Sequence, residues 1–396
     1  MFLHLANKLK FDVIVQIWNI ILCKNNILYN INLKYYNIVN KKIYFWSFKM
    51  NKTRIEWIDL VRAIAILTVL YIHSVDGIYI ISSDAIITMT TFSRIFQFAS
   101  LFIGRIGVPF FLMITGYLLV DRVYDDQKVR KFWNNNCKSL IIVTILWSVI
   151  YAISLTFISN RYTQINTVEA GNLFFSHMWY MPMIIGMYLS MPFVSNAVRS
   201  FDKKTIFQAT VIFSLLAFCI PFISLLLDME GIHNVTLQYC LGFSGGIYGV
   251  YIILGYLVKK EMFKEVSSKI FGIIAIISFA FCLFFQYYAF VRGYNFFLWY
   301  EFPFILTGSF ALFELVSRMD SVRFYSQVKI LSKYPFAVFL IHNLFRLPLL
   351  PFIVTLPFAE PVKAIILWII LIICSYAAAD IIYRIPKFGK FLLYMR

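Results

Sequence analysis

Apolar runs long enough to cross a bilayer recur from about residue 57 to the end of the chain; a spanning helix needs roughly 20 such residues. In hydrocarbon the backbone must satisfy its own polar groups, so only a helix bundle or a closed barrel can form. The runs are continuous and do not alternate with period two, which excludes an outer-membrane barrel. Composition agrees: 61% of the residues are hydrophobic and 14% charged, against about 25% charged in soluble domains. The chain therefore reads as an all-α polytopic membrane protein.

About ten transmembrane helices are expected, near 57–75, 100–120, 140–158, 178–198, 206–226, 242–258, 270–290, 296–316, 334–354 and 364–384. Basic residues test that count. They crowd alternate loops, at 122–138, 199–204, 259–269, 318–333 and in the tail from Arg384, and leave only Arg94, Arg161, Arg292 and Lys363 opposite. By the positive-inside rule this asymmetry places both termini in the cytoplasm. The net charge of +17 is thus a topology signal and gives no reason to expect nucleic acid.

Residues 1–49 are rich in Asn, Lys, Ile and Tyr, and their best apolar stretch, Phe11 to Cys23, is too short to span. We expect this leader to lie outside the fold, with Met50 the natural start and 50–396 a single membrane domain. The six cysteines are scattered, without a Cys-x-x-Cys pair or a Cys/His cluster, so neither a metal site nor a disulfide framework is expected. The glycines of 242–249 lack the trailing Lys-Ser/Thr of a phosphate loop. They read as close helix packing.

The first strong span carries ionisable residues. Arg62 and His73 are separated by ten residues in an otherwise apolar run. Eleven positions are almost three helical turns, so both side chains lie on nearly one stripe, ~16 Å apart along the axis. Asp59 lies close to that stripe. Ionisable groups at membrane depth are costly and usually face the bundle interior or a cavity. On the expected topology, Arg62 is near the cytoplasmic end and His73 near the outer end.

Four segments recur in a specific order: Arg54-Ile-Glu-Trp-Ile-Asp59-Leu-Val-Arg62 leading to His73; Arg105-Ile-Gly-Val-Pro109-Phe-Phe-Leu-Met-Ile-Thr-Gly116-Tyr117; His177-Met-Trp179 running to Pro192-Phe; and Ser332-Lys-Tyr-Pro-Phe-Ala-Val-Phe-Leu-Ile-His342. In this order they resemble the acyltransferase-3 family of bacterial integral membrane acyltransferases, most closely the stand-alone kind that O-acetylates surface polysaccharide. The resemblance covers about residues 50 to 390. It implies acyl-CoA, most simply acetyl-CoA, as a cytoplasmic donor substrate and no resident cofactor. It implies a hydroxyl of a cell-envelope polysaccharide or glycolipid as acceptor, and a multi-pass location in the bacterial cytoplasmic membrane. Polysaccharide synthesis machinery is an expected partner.

By the same resemblance, the family's essential Arg-x10-His pair maps to Arg62 and His73. The chemistry agrees: a hydroxyl needs a base to become a good nucleophile, and histidine titrates near neutral pH. Arg62 and the basic stretch of Arg130, Lys131 and Lys138 are the expected donor-binding residues, because guanidinium groups match phosphate oxygens. Where the family often carries Arg-x-x-Arg, this chain has Asn136 and Ser139. Arg105, His177, Trp179, Glu301 and His342 are acceptor-side candidates. Trp179 offers a ring on which a sugar can stack, and Glu301 is the carboxylate expected to orient a histidine. Arg346 follows His342 by one turn on the same face. Two other readings stay open: a transporter or exporter of a glycan precursor or small metabolite, and a non-catalytic component of a polysaccharide synthesis complex.

Overall fold

A computed structural model describes residues 54–81, 89–159, 177–232, 246–294, 298–386 and 388–395. The leader with Met50, Arg161, Gly242 and Gly245 lie outside the described residues. Contacts divide the chain into Met1–Ile55 and Glu56–Arg396, and the second unit holds the helices below. Among the described residues there is no β-strand.

The helices are α1 (Glu56–Ile81), α2 (Thr91–Arg105), α3 (Gly107–Leu119), α4 (Asp126–Phe132), α5 (Lys138–Ser159), α6 (Tyr180–Arg199), α7 (Lys203–Ser214), α8 (Ile220–Met229), α9 (Gly246–Lys259), α10 (Ser268–Val291), α11 (Pro303–Ser317), α12 (Tyr325–Leu331), α13 (Pro335–Val354), α14 (Glu360–Arg384) and α15 (Phe388–Leu392). Among the described residues eight stretches are long and apolar enough to cross a membrane, and α9 and α11 are shorter apolar helices at the sixth and eighth expected positions.

Two expected boundaries change. The second span, expected at 100–120, begins at Thr91 and is broken at Ile106 between α2 and α3. Pro109 has no N–H, and its ring excludes the carbonyl four residues back, that of Arg105. The break therefore falls at the arginine. The segment expected as a basic loop before the third span is helical from Asp126, where Asp125 caps α4 by accepting from the Lys128 amide at 2.8 Å. A π-helical turn, Trp133–Cys137, joins α4 to α5. Its three consecutive asparagines are weak helix formers, and Trp133 donates from Nε1 to the Leu189 carbonyl at 3.2 Å.

The inner helices are those whose residues are mostly buried: 61% in α1, 72% across Thr91–Leu119 and 56% in α13, against 11% across Lys203–Met229. Their approach rests on glycine. A Cβ at Gly116 would stand 1.8 Å from the Ile252 carbonyl oxygen, and one at Gly255 would stand 2.0 Å from that of Met113. This reciprocal pair brings the backbones of α3 and α9 together antiparallel. Gly186 of α6, by contrast, has open space where a Cβ would lie.

Candidate active site

Three histidines from separate parts of the sequence converge. The rings of His73 on α1 and His342 on α13 are 5.0 Å apart between centres, and His177 stands 5.4 Å from His342. His342 and His177 are buried. His177 sits in a single 3-10 turn before α6, where Tyr151 of α5 packs edge-on at 4.8 Å. The Tyr151 hydroxyl donates to the Leu340 carbonyl of α13, which ties α5 to the helix that carries His342.

A charged layer adjoins the cluster. Arg105 is buried, at 3% exposure. It donates from Nε to the Leu298 carbonyl at 3.1 Å and from Nη2 to Asp76 Oδ2 at 3.4 Å. Its guanidinium lies 4.4 Å from the Trp299 ring centre, a cation–π distance. Asp76 lies one turn beyond His73 on α1. The sequence reading gave the carboxylate role to Glu301; among the described residues, the hydrogen bonds of His177 and His342 go to Asn343 and Phe339 instead. Asp76 is the carboxylate that pairs with Arg105. The signal was present in His73-Ser-Val-Asp76, a same-face spacing of three.

Trp179 belongs to an aromatic group with Tyr248, Trp299 and Tyr300, at ring separations of 5.5, 5.7 and 5.6 Å. Arg105 therefore stands between this platform and Asp76.

At the other end of α1, Arg62 donates to Asp59 Oδ1 at 3.2 Å, and the Tyr325 hydroxyl donates to Asp59 Oδ2 at 2.9 Å. Asp59 is fully buried while the Arg62 side chain stays 35% exposed. The carboxylate therefore holds the root of a guanidinium that still reaches a cavity of about 440 Å³, a volume in the range of small-ligand sites. Besides Arg62, its basic residues are Arg122 and Lys333. The cavity follows α1 to Val69, one turn short of His73, and Tyr180 and Phe339 also line it. The Phe339 ring is 6.0 Å from His177 and 6.1 Å from His342, so the cavity wall backs onto the histidine cluster.

Arg130, Lys131 and Lys138 do not line this cavity. They lie exposed around the π-helical turn. The Asn136 carbonyl accepts from the hydroxyl of Tyr394, a cavity residue, at 3.1 Å. Sequence reasoning missed Arg122 and Lys333 because both read as topology anchors. Hydrogen bonding with Tyr334 raises the Lys333 ammonium above the ordinary lysine range, against a small loss from burial, so it stays cationic through neutral pH. Among the described residues no three His, Cys, Asp or Glu side chains are grouped as metal ligands.

The family comparison covers the same helices. An acyltransferase-domain model, that of the acyltransferase-3 family, matches residues 55–384. Two curated proteins are similar over part of their length. A serine/alanine racemase of Enterococcus gallinarum is 25% identical over 54% of this chain and 30% of its own. An amino-acid racemase of Enterococcus faecalis is 27% identical over 56% of this chain and 32% of its own. The chain thus spans about a third of the length of these relatives. No solved structure matches. With its family match running from the first residues of α1 to the end of α14 and taking in the histidine cluster, the charged layer and most of the cavity lining, the chain belongs to the acyltransferase-3 family.

Proposed function

We propose that this protein transfers an acyl group, most simply acetyl, from acyl-CoA to a hydroxyl of a cell-envelope polysaccharide or glycolipid in the bacterial cytoplasmic membrane. One observation carries the reading: a cavity with cationic residues on its lining runs along α1 toward the back of a buried histidine cluster. Arg62, Arg122 and Lys333 suit the phosphates of the donor, and the apolar lining of Val69, Val108 and Phe339 suits its thioester arm. The acceptor approaches from the side of Trp179, Trp299 and Tyr300, where sugar rings stack and Arg105 offers donors. His73 takes the hydroxyl proton as general base, and the Arg105–Asp76 pair fixes the charge near it. Phe339 and Tyr180 stand between donor cavity and histidines and keep water from the thioester until both substrates are present.

A second reading comes from the two relatives, which are named for reactions on amino acids. In it the bundle moves a small amino-acid-like solute. Protein in nanodiscs supplied with labelled acetyl-CoA and an envelope glycan fraction, beside proteoliposomes supplied with labelled serine and alanine, separates the two. Label passing to the glycan supports transferase. Solute uptake without any acetyl transfer overturns it.

A further inference from the structure

We propose that His342 is a second proton-handling residue of this site, and that its Nε2 lone pair receives the proton passed on by His73. The proposal rests on the acyl-transfer reading and adds a residue that reading does not need.

The first support is the tautomer of His342. Its Nδ1 lies 2.7 Å from the Phe339 carbonyl oxygen. A carbonyl only accepts, so Nδ1 carries the proton and the neutral ring keeps its lone pair on Nε2. That Nε2 is buried and has no hydrogen-bond partner, on a residue with no exposure. Leaving a buried acceptor bare is costly, and an orphan of this kind in a folded protein calls for a role. A histidine kept only for packing would have both nitrogens bonded. This one keeps a lone pair free within a ring separation of 5.0 Å from His73, a spacing that a direct contact or one bridging water spans.

The second support is the opposite tautomer imposed on His177. Arg346 donates from Nη1 to Asn343 Oδ1 at 2.9 Å. Guanidinium has no acceptor, so the Asn343 oxygen is fixed on that side and its NH2 faces His177, with Nδ2 to Nδ1 at 3.1 Å. His177 Nδ1 therefore accepts, and its proton sits on Nε2. Gly77 makes room for this arrangement, since a Cβ there would stand 3.3 Å from Arg346 Nε. One neighbour of the cluster is thus set as a donor and His342 as an acceptor.

The step balances. The acceptor O–H bond breaks as its oxygen bonds to the thioester carbonyl carbon. His73 takes that proton on one ring nitrogen and gives the proton of its other nitrogen to His342 Nε2. The carbon–sulfur bond then breaks, and the reverse relay returns a proton to the thiolate, which leaves both rings neutral.

The test uses the full-length protein in nanodiscs. Ring-nitrogen NMR on 15N-histidine protein, with His342 assigned by its loss in His342→Gln, is expected to show the proton on Nδ1 of His342. In mixed H2O and D2O, the wild-type rate is expected to bow with deuterium fraction, as two protons in flight require. His342→Gln is expected to lower kcat on the order of 10²-fold, leave the acyl-CoA KM unchanged and make the solvent dependence linear. A proton on Nε2 of His342, or a variant that keeps wild-type kcat and the bowed dependence, overturns the relay and leaves acyl transfer standing. If the variant fails to fold, the wild-type solvent dependence decides: a linear one overturns the relay. A folded wild type without any acyl transfer removes both readings.

Discussion

His73 and His342, from the first and the thirteenth helices, stand with ring centres 5.0 Å apart, while Arg62 on the same helix as His73 opens into a cavity that stops at Val69. Along α1, Arg62 lines the cavity at one end and the His73 ring joins the histidine cluster toward the other. Phe339, which lines the cavity and packs within 6.1 Å of His342, is the partition between them.

On the proposed reading, donor recognition falls to Arg122 and Lys333, which line the cavity, and not to the exposed basic stretch, which does not. Arg122→Gln and Lys333→Gln are each expected to raise the KM for acetyl-CoA about 3- to 30-fold with little change in kcat, the size of a lost charge-assisted contact. Lys131→Gln is expected to leave KM within about twofold, as an exposed charge outside the site. Steady-state kinetics on the three variants decides between the two sets, and a larger effect at Lys131 than at Lys333 refutes the cavity assignment.

Glycine substitutions at two positions are expected to have opposite signs. Gly116→Ala forces a Cβ to within 1.8 Å of the Ile252 carbonyl oxygen, and the backbone there cannot yield without parting α3 from α9. The expected loss is about 1–3 kcal/mol. Gly186→Ala meets nothing within 4 Å inside α6, and alanine there is expected to gain about 0.5–1 kcal/mol by the helix preference over glycine. Thermal unfolding in one detergent, read by intrinsic fluorescence, orders the three proteins; equal midpoints for the two variants would show that the α3–α9 contact is not close.

Acid sensitivity is expected from a pair outside the spans. Partial burial pushes the Asp121 carboxyl up, but its hydrogen bond to Lys260 and the charge of Lys259 outweigh this and hold it below its ordinary 3.8. The two ammonium groups stand 2.6 and 3.4 Å away. A depressed carboxylate stabilises the fold above its unfolded pKa and loses that contribution as pH falls through the folded one. Wild type is therefore expected to lose stability on acidification below pH ~4 more steeply than Asp121→Asn. Unfolding midpoints between neutral and acidic pH test this; parallel curves would mean that the pair contributes nothing.

Much of the fold was legible because a bilayer leaves so few options. Apolar length marked the helices, and the charged stripe of Arg62 and His73 pointed to α1, which carries both a cavity-lining arginine and one ring of the histidine cluster. Pro109 foretold a break, although its placing of Arg105 in the interior needed the structure. Asp76 was readable from its spacing to His73 and was passed over for Glu301. Other features depend on tertiary contact. Arg122 and Lys333 have the same local sequence character as any topology anchor, and only the cavity distinguishes them. Asn343 looks like an ordinary polar residue beside His342 until His177, far away in the chain, is found against it. The Asn134-Asn-Asn136 run reads as a loop on propensity, and packing of Trp133 on α6 makes it a π-helical turn.

The account turns on His73 as the base. The most direct measurement is single-turnover acetyl transfer by the purified protein in nanodiscs, with acetyl-CoA binding measured on the same samples, for wild type and His73→Ala. The account predicts that wild type transfers the acetyl group, and that His73→Ala binds acetyl-CoA with an unchanged Kd but transfers it at least ~10²-fold more slowly, the usual scale of a lost general base. Transfer by His73→Ala at the wild-type rate would contradict it.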